Sequence, residues 1–303
     1  MPEFKPVELQ DKALLKSFLD KIPPYLTEHS FTTLLAWQKS FDFRFAVEDD
    51  FLFIMNTHNG VTSFFPPFYK DGKCDNSQYK AALQKIIDYA ASQGLPCILS
   101  EVGENELPLI ENAMPTAFSV RNDRQNANYI YSVKDLTELS GKKYHNKRNH
   151  INQFKRSYPF YRFLPLTADL IPLCRKSVER WAAETHQTDV ATVQEEADAI
   201  NVLFENMAEL ELHGACIEMG GAVEAFAVGE KLSDEMAYII IEKANSKYKG
   251  LYAAINQMFL VSDWQDFQLV NRAEDMGLEN LRRTKTEYHP CRLAMKYILT
   301  YNK

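Results

Sequence analysis

The sequence predicts an α+β fold arranged as two similar units. Three observations carry this. Each half of the 303-residue chain reads in one order (helix, helix, antiparallel strands, helix, strand, helix, strand), although the residues differ. Tight-turn signals, Asn59-Gly60 in the first half and Gly220-Gly221 in the second, each separate two apolar strand-like runs. Between the halves lies Gly141–Arg156, which holds Lys142, Lys143, Lys147, Arg148, Lys155 and Arg156, with His145 and His150 and no acid.

The elements follow from periodicity and punctuation. Lys12–Ile22 is amphipathic and ends at Pro23-Pro24, and Ser30 or Thr32 can cap a short helix through Trp37. Arg44–Val47 and Phe51–His58 flank the acidic turn Glu48-Asp49-Asp50, and Val61–Pro66 returns after Asn59-Gly60. Gln78–Gln93 places Leu83, Ile86, Ile87 and Ala90 on one face and stops at Gly94. Cys97–Val102 reads as a strand, Leu107–Ala113 as a helical turn and Ala127–Val133 as a strand.

In the second half, Leu170–Glu184 and Val193–Leu212 read as helices. Ala215–Met219, Ala222–Leu232 and the continuous apolar run Ala237–Ala244 read as strands. Tyr248–Trp264 (helix), Gln268–Asn271 (strand), Leu278–Lys285 (helix) and Leu293–Thr300 (strand) complete the chain. The predicted division is a first domain at 1–140, a basic linker helix at 141–157 and a second domain at 158–303.

Composition bounds the function. Hydrophobic content of 46% and 12% aromatic residues fit a packed globular chain. No run approaches the ~20 apolar residues of a membrane-spanning helix. The N-terminus lacks a signal-peptide core, so a cytoplasmic location is expected. Cys74, Cys97, Cys174, Cys216 and Cys291 are scattered without a CxxC pair, which argues against zinc and against a disulfide framework. No HExxH, Walker loop, GxGxxG or Ser/His/Asp signature is present, and no metal is expected.

The charge pattern is the strongest functional signal. The chain is −7 overall, but the acid-free window Leu139–Ala168 carries seven Lys or Arg, leaving −14 elsewhere. Tyr144, Ile151, Phe154 and Tyr158 form one narrow apolar stripe of a helix, with Lys143, Lys147 and Arg148 among the cations expected on its other faces. Such a helix suits a polyanion. The plainer alternative is pairing with acids of the chain, since Glu179–Glu242 holds fifteen Asp or Glu against Arg180 and Lys231.

Two further clusters follow strands. Lys247, Lys249 and Gly250 lie between the run ending at Ala244 and a helix, where backbone N–H groups and the helix dipole favour an anion. Asn271, Arg272 and Asp275 follow Gln268–Asn271 and open the helix carrying Arg282, Arg283 and Lys285. A polar cluster at the carboxyl end of a strand is where α/β-type sites form. Asp275 equally suits a helix N-cap.

Asp135–Arg156, Lys247–Asn256 and Val270–Pro290, with Ser30–Trp37, resemble the phosphatidylglycerol lysyltransferase C-terminal domain family over nearly the whole chain. That resemblance implies two tandem GNAT-like (acyl-CoA N-acyltransferase-like) domains, each a mixed, mostly antiparallel sheet flanked by helices, as in Fem-type peptidyltransferases. Membrane-fused members move lysine or alanine from aminoacyl-tRNA to phosphatidylglycerol; this chain carries no such membrane-embedded region in its sequence. GNAT enzymes that use acetyl-CoA carry a loop of Arg or Gln, two residues, Gly, one residue, then Gly or Ala. Lys247, Gly250 and the bulky Tyr252 stand at those positions here, and Pro66-Pro67-Phe68-Tyr69-Lys70 replaces the loop in the first half.

The resemblance therefore implies an acyltransferase whose second domain is catalytic and whose first is structural or acceptor-binding. Glu242, Asn271, Arg272 and Asp275 are its candidate catalytic residues. Lys143, Lys147, Arg148, Lys247, Lys249, Gly250, Arg282 and Lys285 are its candidate donor-binding residues. The donor is aminoacyl-tRNA or, alternatively, acyl-CoA, and the acceptor a lipid headgroup, a peptide or a small molecule. A non-catalytic binding protein on the same scaffold is the third reading. The sequence leaves the oligomeric state open.

Overall fold

A computed structural model describes residues 2–184 and 190–302. The chain divides into two compact units. Unit 1 comprises Met1–Asn128, Glu274–Arg282 and Leu293–Lys303; unit 2 comprises Tyr129–Ala273 and Arg283–Arg292.

The sheet of unit 1 uses β1 (Lys5–Pro6), β2 (Arg44–Glu48), β3 (Phe51–His58), β4 (Val61–Phe64), β5 (Phe68–Tyr69), β6 (Ile98–Gly103), β7 (Phe118–Asn122) and the final strand β15 (Lys296–Tyr301). Its order is β1-β2-β3-β4-β6-β15-β7, with β5 also on β3. Only β4 and β6 run parallel, meeting at Phe64 and Leu99. The helices are α1 (Lys12–Leu19), α2 (Phe31–Ala36), α3 (Gln38–Phe41), α4 (Asn76–Ser92) and α5 (Glu106–Ala113). Ser30 Oγ caps α2 by accepting from Thr32 N at 3.1 Å, and Asp75 with Gln78 forms a capping box on α4. The predicted face Leu83, Ile86, Ile87 and Ala90 is buried with Phe51, Phe53, Leu99 and Leu299. That shared apolar cluster is what holds α4 on the sheet.

Unit 2 opens on β8 (Asn128–Ser132), α6 (Val133–Glu138), α7 (His145–Ser157) and β9 (Arg162–Pro165). It continues through α8 (Ile171–Glu184), α9 (Val190–Glu205), β10 (His213–Met219), β11 (Ala222–Lys231), β12 (Met236–Ala244), α10 (Leu251–Asp263) and β13 (Leu269–Asn271). After it come α11 (Glu279–Thr286) and β14 (Arg292–Ala294), and the sheet order is β14-β8-β13-β12-β11-β10-β9. Trp181 of α8 and Phe204 of α9 close on Phe226 of β11, with ring centroids 6.1 and 5.5 Å away. Residues 185–189 of the acidic stretch lie outside the described residues.

The linear division at 140/158 differs from these units. The last strand, β15, expected in the second domain, lies between β6 and β7 of unit 1. Strand β8, expected in the first, pairs antiparallel with β13 of unit 2. Periodicity identifies a strand but not its distant partner, so the expected order of elements survives while two assignments change places. The basic segment is not a linker either: α7 belongs to unit 2 and packs on α10. Strands β1, β5, β7, β9 and β14 are too short or too polar to stand out in the sequence.

Candidate active site of unit 2

The site begins with a strand pair that parts. Strands β12 and β13 run parallel and pair over Met236–Leu269, Ala237–Val270 and Tyr238–Asn271 only. Beyond Tyr238, β12 continues to Ala244 while β13 stops. A register shift opposite Val228 and Gly229 leaves Ile240 as an extra residue on β12. Such a bulge re-aims the side chains that follow.

Glu242 and Arg272 occupy this wedge. Arg272 Nη2 donates to Glu242 Oε1 at 2.9 Å, and both side chains are only 13% exposed. Asn256 of α10 donates to Glu242 Oε2 at 2.8 Å. The Arg272 guanidinium lies 5.7 Å from the Tyr131 ring centre and 5.0 Å from that of Tyr288. Burial works against its charge, but Glu242 and the two tyrosines outweigh that and hold its pKa above the ordinary value. Arg272 Nη1 is buried with no hydrogen-bond partner. An unmatched buried donor costs about 1–3 kcal/mol, so this N–H is a candidate to meet a bound ligand.

The walls of the box are neutral aromatics. Burial pushes the Tyr288 phenol up to about 12 and the Tyr131 phenol higher, with Arg272 pulling both the other way. Tyr131 donates to the Lys285 carbonyl at 2.9 Å, and Lys285 Nζ donates to the Arg272 carbonyl. Lys285 thus supports the Arg272 backbone.

The basic helix is tied to the same box. Lys147 is buried, 4.2 Å over the Tyr288 ring and 2.9 Å from Glu287 Oε2. Its ammonium holds the Glu287 carboxyl below the usual range. Tyr144 donates to the Tyr288 carbonyl at 3.2 Å. Lys143 donates to Asp135 at 2.8 Å, and Arg148 closes on the carbonyls of Leu139 and Gly141 at the end of α6. Among the described residues, Lys143 and Lys147 of this segment pair with Asp135 and Glu287. Lys142, Lys155 and Arg156 are exposed.

The other candidate residues take up contacts of their own. Gly250 has φ +85°, and a Cβ there would run into the His150 carbonyl oxygen of α7. Its close approach lets the start of α10 pack on α7. Lys247 and Lys249 are exposed beside it. Asn271 is fully buried and its Oδ1 accepts from Ala273 N at 2.9 Å, a structural turn. Glu242 and Arg272 belong to unit 2, whereas Asp275 and Arg282 belong to unit 1. There Asp275 is fully buried and accepts from Arg282 at 2.8 Å, Arg124 at 3.1 Å and Gly277 N at 2.9 Å. That carboxylate anchors its loop.

Tyr131, Tyr288 and Asn256 are site residues that motif reading passed over. The available signal was alternation: Tyr129 and Tyr131 share one side of β8. Among the described residues no group of three or more His, Cys, Asp or Glu could hold a metal, and no helix is long and apolar enough to cross a membrane.

Two mostly antiparallel sheets flanked by helices define a tandem GNAT-type fold. The chain belongs to the family described as phosphatidylglycerol lysyltransferase, C-terminal, which matches residues 20–300. A crystal structure of a conserved protein of unknown function from Bacteroides thetaiotaomicron is 30% identical, with TM-score 0.89 and 100% of both chains covered. L-PGS from Bacillus licheniformis has the same fold at 13% identity, TM-score 0.66, covering 98% of this chain and 93% of that one. A tandem GNAT protein from the clavulanic acid biosynthesis pathway shares the fold at 9% identity and TM-score 0.54, covering 100% and 99%. An uncharacterised protein of Mycoplasmoides gallisepticum is 22% identical over 173 residues, 57% of this chain; the match spans about half (55%) of that curated relative. Family and fold agree: the chain is a tandem GNAT-type member of the phosphatidylglycerol lysyltransferase C-terminal family.

Proposed function

We propose that unit 2 transfers an aminoacyl group from aminoacyl-tRNA to a lipid headgroup, peptide or small-molecule acceptor on the cytoplasmic side. The observation that carries this reading is the unpartnered Nη1 of Arg272 beside Glu242, inside an aromatic box. The α-ammonium of an aminoacyl group suits Glu242, and its ester carbonyl oxygen suits Arg272 Nη1. The acceptor's nucleophile attacks that carbonyl carbon and the new bond forms. The ester C–O bond then breaks, and the acceptor's proton ends on the ribose hydroxyl. Arg272 stabilises the oxyanion between these steps, which for an activated ester is the main catalytic requirement.

The donor's phosphates fall to the N-terminal end of α7, next to the box. Lys142 and Lys143 stand there, with Arg283 exposed one turn before Glu287. Acyl-CoA is the weaker alternative, because the His150 carbonyl occupies the approach to Gly250 that a pyrophosphate would need.

Filter binding of charged and uncharged tRNA across a salt series tests the reading. Charged tRNA is expected to bind, with log affinity falling linearly with log salt. Absent or salt-insensitive binding overturns it. Stabilisation by acetyl-CoA in a melting assay supports the alternative donor instead.

A further inference from the structure

The box uses one end of α7. The other end, eight or nine residues on from Lys147 and about 12 Å along the axis, carries the exposed Lys155 and Arg156. Just beyond them Phe160 is 92% exposed. It stands at the tip of a turn closed by Tyr161 N donating to the Tyr158 carbonyl at 3.3 Å.

This tip is held in place. Tyr158 and Tyr161 pack on Phe154 of α7 at 5.5 and 5.1 Å, and Tyr158 meets Tyr248 edge-on at 5.1 Å. The last contact brings the Lys247–Lys249 loop beside the tip. Both contributing segments lack acids: Leu139–Ala168 carries seven Lys or Arg and Lys243–Ser262 carries three.

We propose that Phe160, with the exposed Lys155 and Arg156 at the end of α7 and the exposed Lys249 on the loop that packs on Tyr158, docks unit 2 onto an anionic lipid bilayer. A bare apolar ring on a packed turn, with exposed cations on the neighbouring segments, suits an interface where the ring enters the acyl boundary and the cations meet headgroups. A nucleic-acid base would cover one face of an aromatic ring lying on a platform. Phe160 lies on no platform; nearly all of its surface is open, and a bilayer can surround all of it. The surface is independent of the transfer reaction and of its donor.

The test is co-sedimentation of the full chain with phosphatidylcholine vesicles, with and without phosphatidylserine, in the absence of tRNA and phosphatidylglycerol. Binding is expected only to vesicles containing phosphatidylserine, weakening with salt. Lys155→Gln and Arg156→Gln are each expected to lower partitioning about fivefold, and Phe160→Ser about tenfold. A Phe160→Trp variant is expected to shift its emission to the blue with anionic vesicles alone. Circular dichroism checks that these exposed-site variants remain folded. Failure to sediment with anionic vesicles overturns the proposal, as does wild-type-like binding by Phe160→Ser. Phe160-dependent capture of an RNA oligonucleotide without vesicle binding also overturns it, in favour of a base-stacking surface.

Discussion

Arg272 donates through Nη2 to Glu242 Oε1 at 2.9 Å, while its Nη1, equally buried, finds no hydrogen-bond partner. The pair is therefore complete as an ion pair and incomplete as a hydrogen-bonded network. Replacing Arg272 with Lys keeps the charge but removes the planar second donor. Aminoacyl transfer in a single-turnover assay is expected to fall about 10²–10³-fold, the usual effect of losing one oxyanion donor. Arg272→Met leaves Glu242 buried and uncompensated, and urea unfolding is expected to show a loss of about 3 kcal/mol. An Arg272→Lys enzyme of full activity would remove Arg272 from the chemistry.

The cations of α7 fall into two kinds, and salt dependence separates them. Lys147 is enclosed between Glu287 and the Tyr288 ring. Lys147→Gln is expected to destabilise the chain while leaving the salt slope of tRNA binding unchanged. Lys142→Gln and Arg283→Gln act on exposed groups. Each is expected to weaken binding and to lower the slope by about 1. Filter binding over a salt series reads both.

Residue order told much of this and pairing told less. The turn Asn59-Gly60, the Ser30 cap and the face of α4 were legible because each depends on neighbours within a turn or two. The places of β8 and β15 were not, since their partners are β13 and β6, far away in the chain. The site divides the same way. Glu242 and Arg272 stood out as polar residues at strand ends. Tyr288 did not, because its role comes from Arg272 and Lys147, which reach it from separate elements. Asp275 and Gly250 were conspicuous for a different reason: both satisfy backbone demands of their own loops.

Gly250 offers a direct check on that last point. Its φ of +85° and the adjacent His150 carbonyl leave no room for a side chain. Gly250→Ala is expected to cost at least about 2 kcal/mol, more than the strain of a positive φ alone. The measurement is urea unfolding of the unliganded chain. An unchanged midpoint would return Gly250 to the role of a ligand-binding loop residue.

A buried charge cluster in unit 1 sets a pH dependence. Lys296 is 2% exposed and lies 2.5 Å from Glu28 and 2.9 Å from Glu101. Burial raises the Glu101 carboxyl to about 7; Lys296 opposes this, and the carboxylates of Glu28 and Glu274 add to it. Burial also acts against the Lys296 charge, but the carboxylates around it prevail and raise its pKa. A carboxyl with a raised folded-state pKa binds more protons folded than unfolded between the two values. Its contribution is complete below the ordinary carboxyl range and is lost as pH rises to about 7. The slope is at most on the order of 1 kcal/mol per pH unit. Unfolding midpoints are therefore expected to fall between pH 5 and pH 7 on account of this group. Glu101→Gln, which cannot titrate, is expected to flatten that part of the profile. A variant profile parallel to the wild type would place the titration on another group.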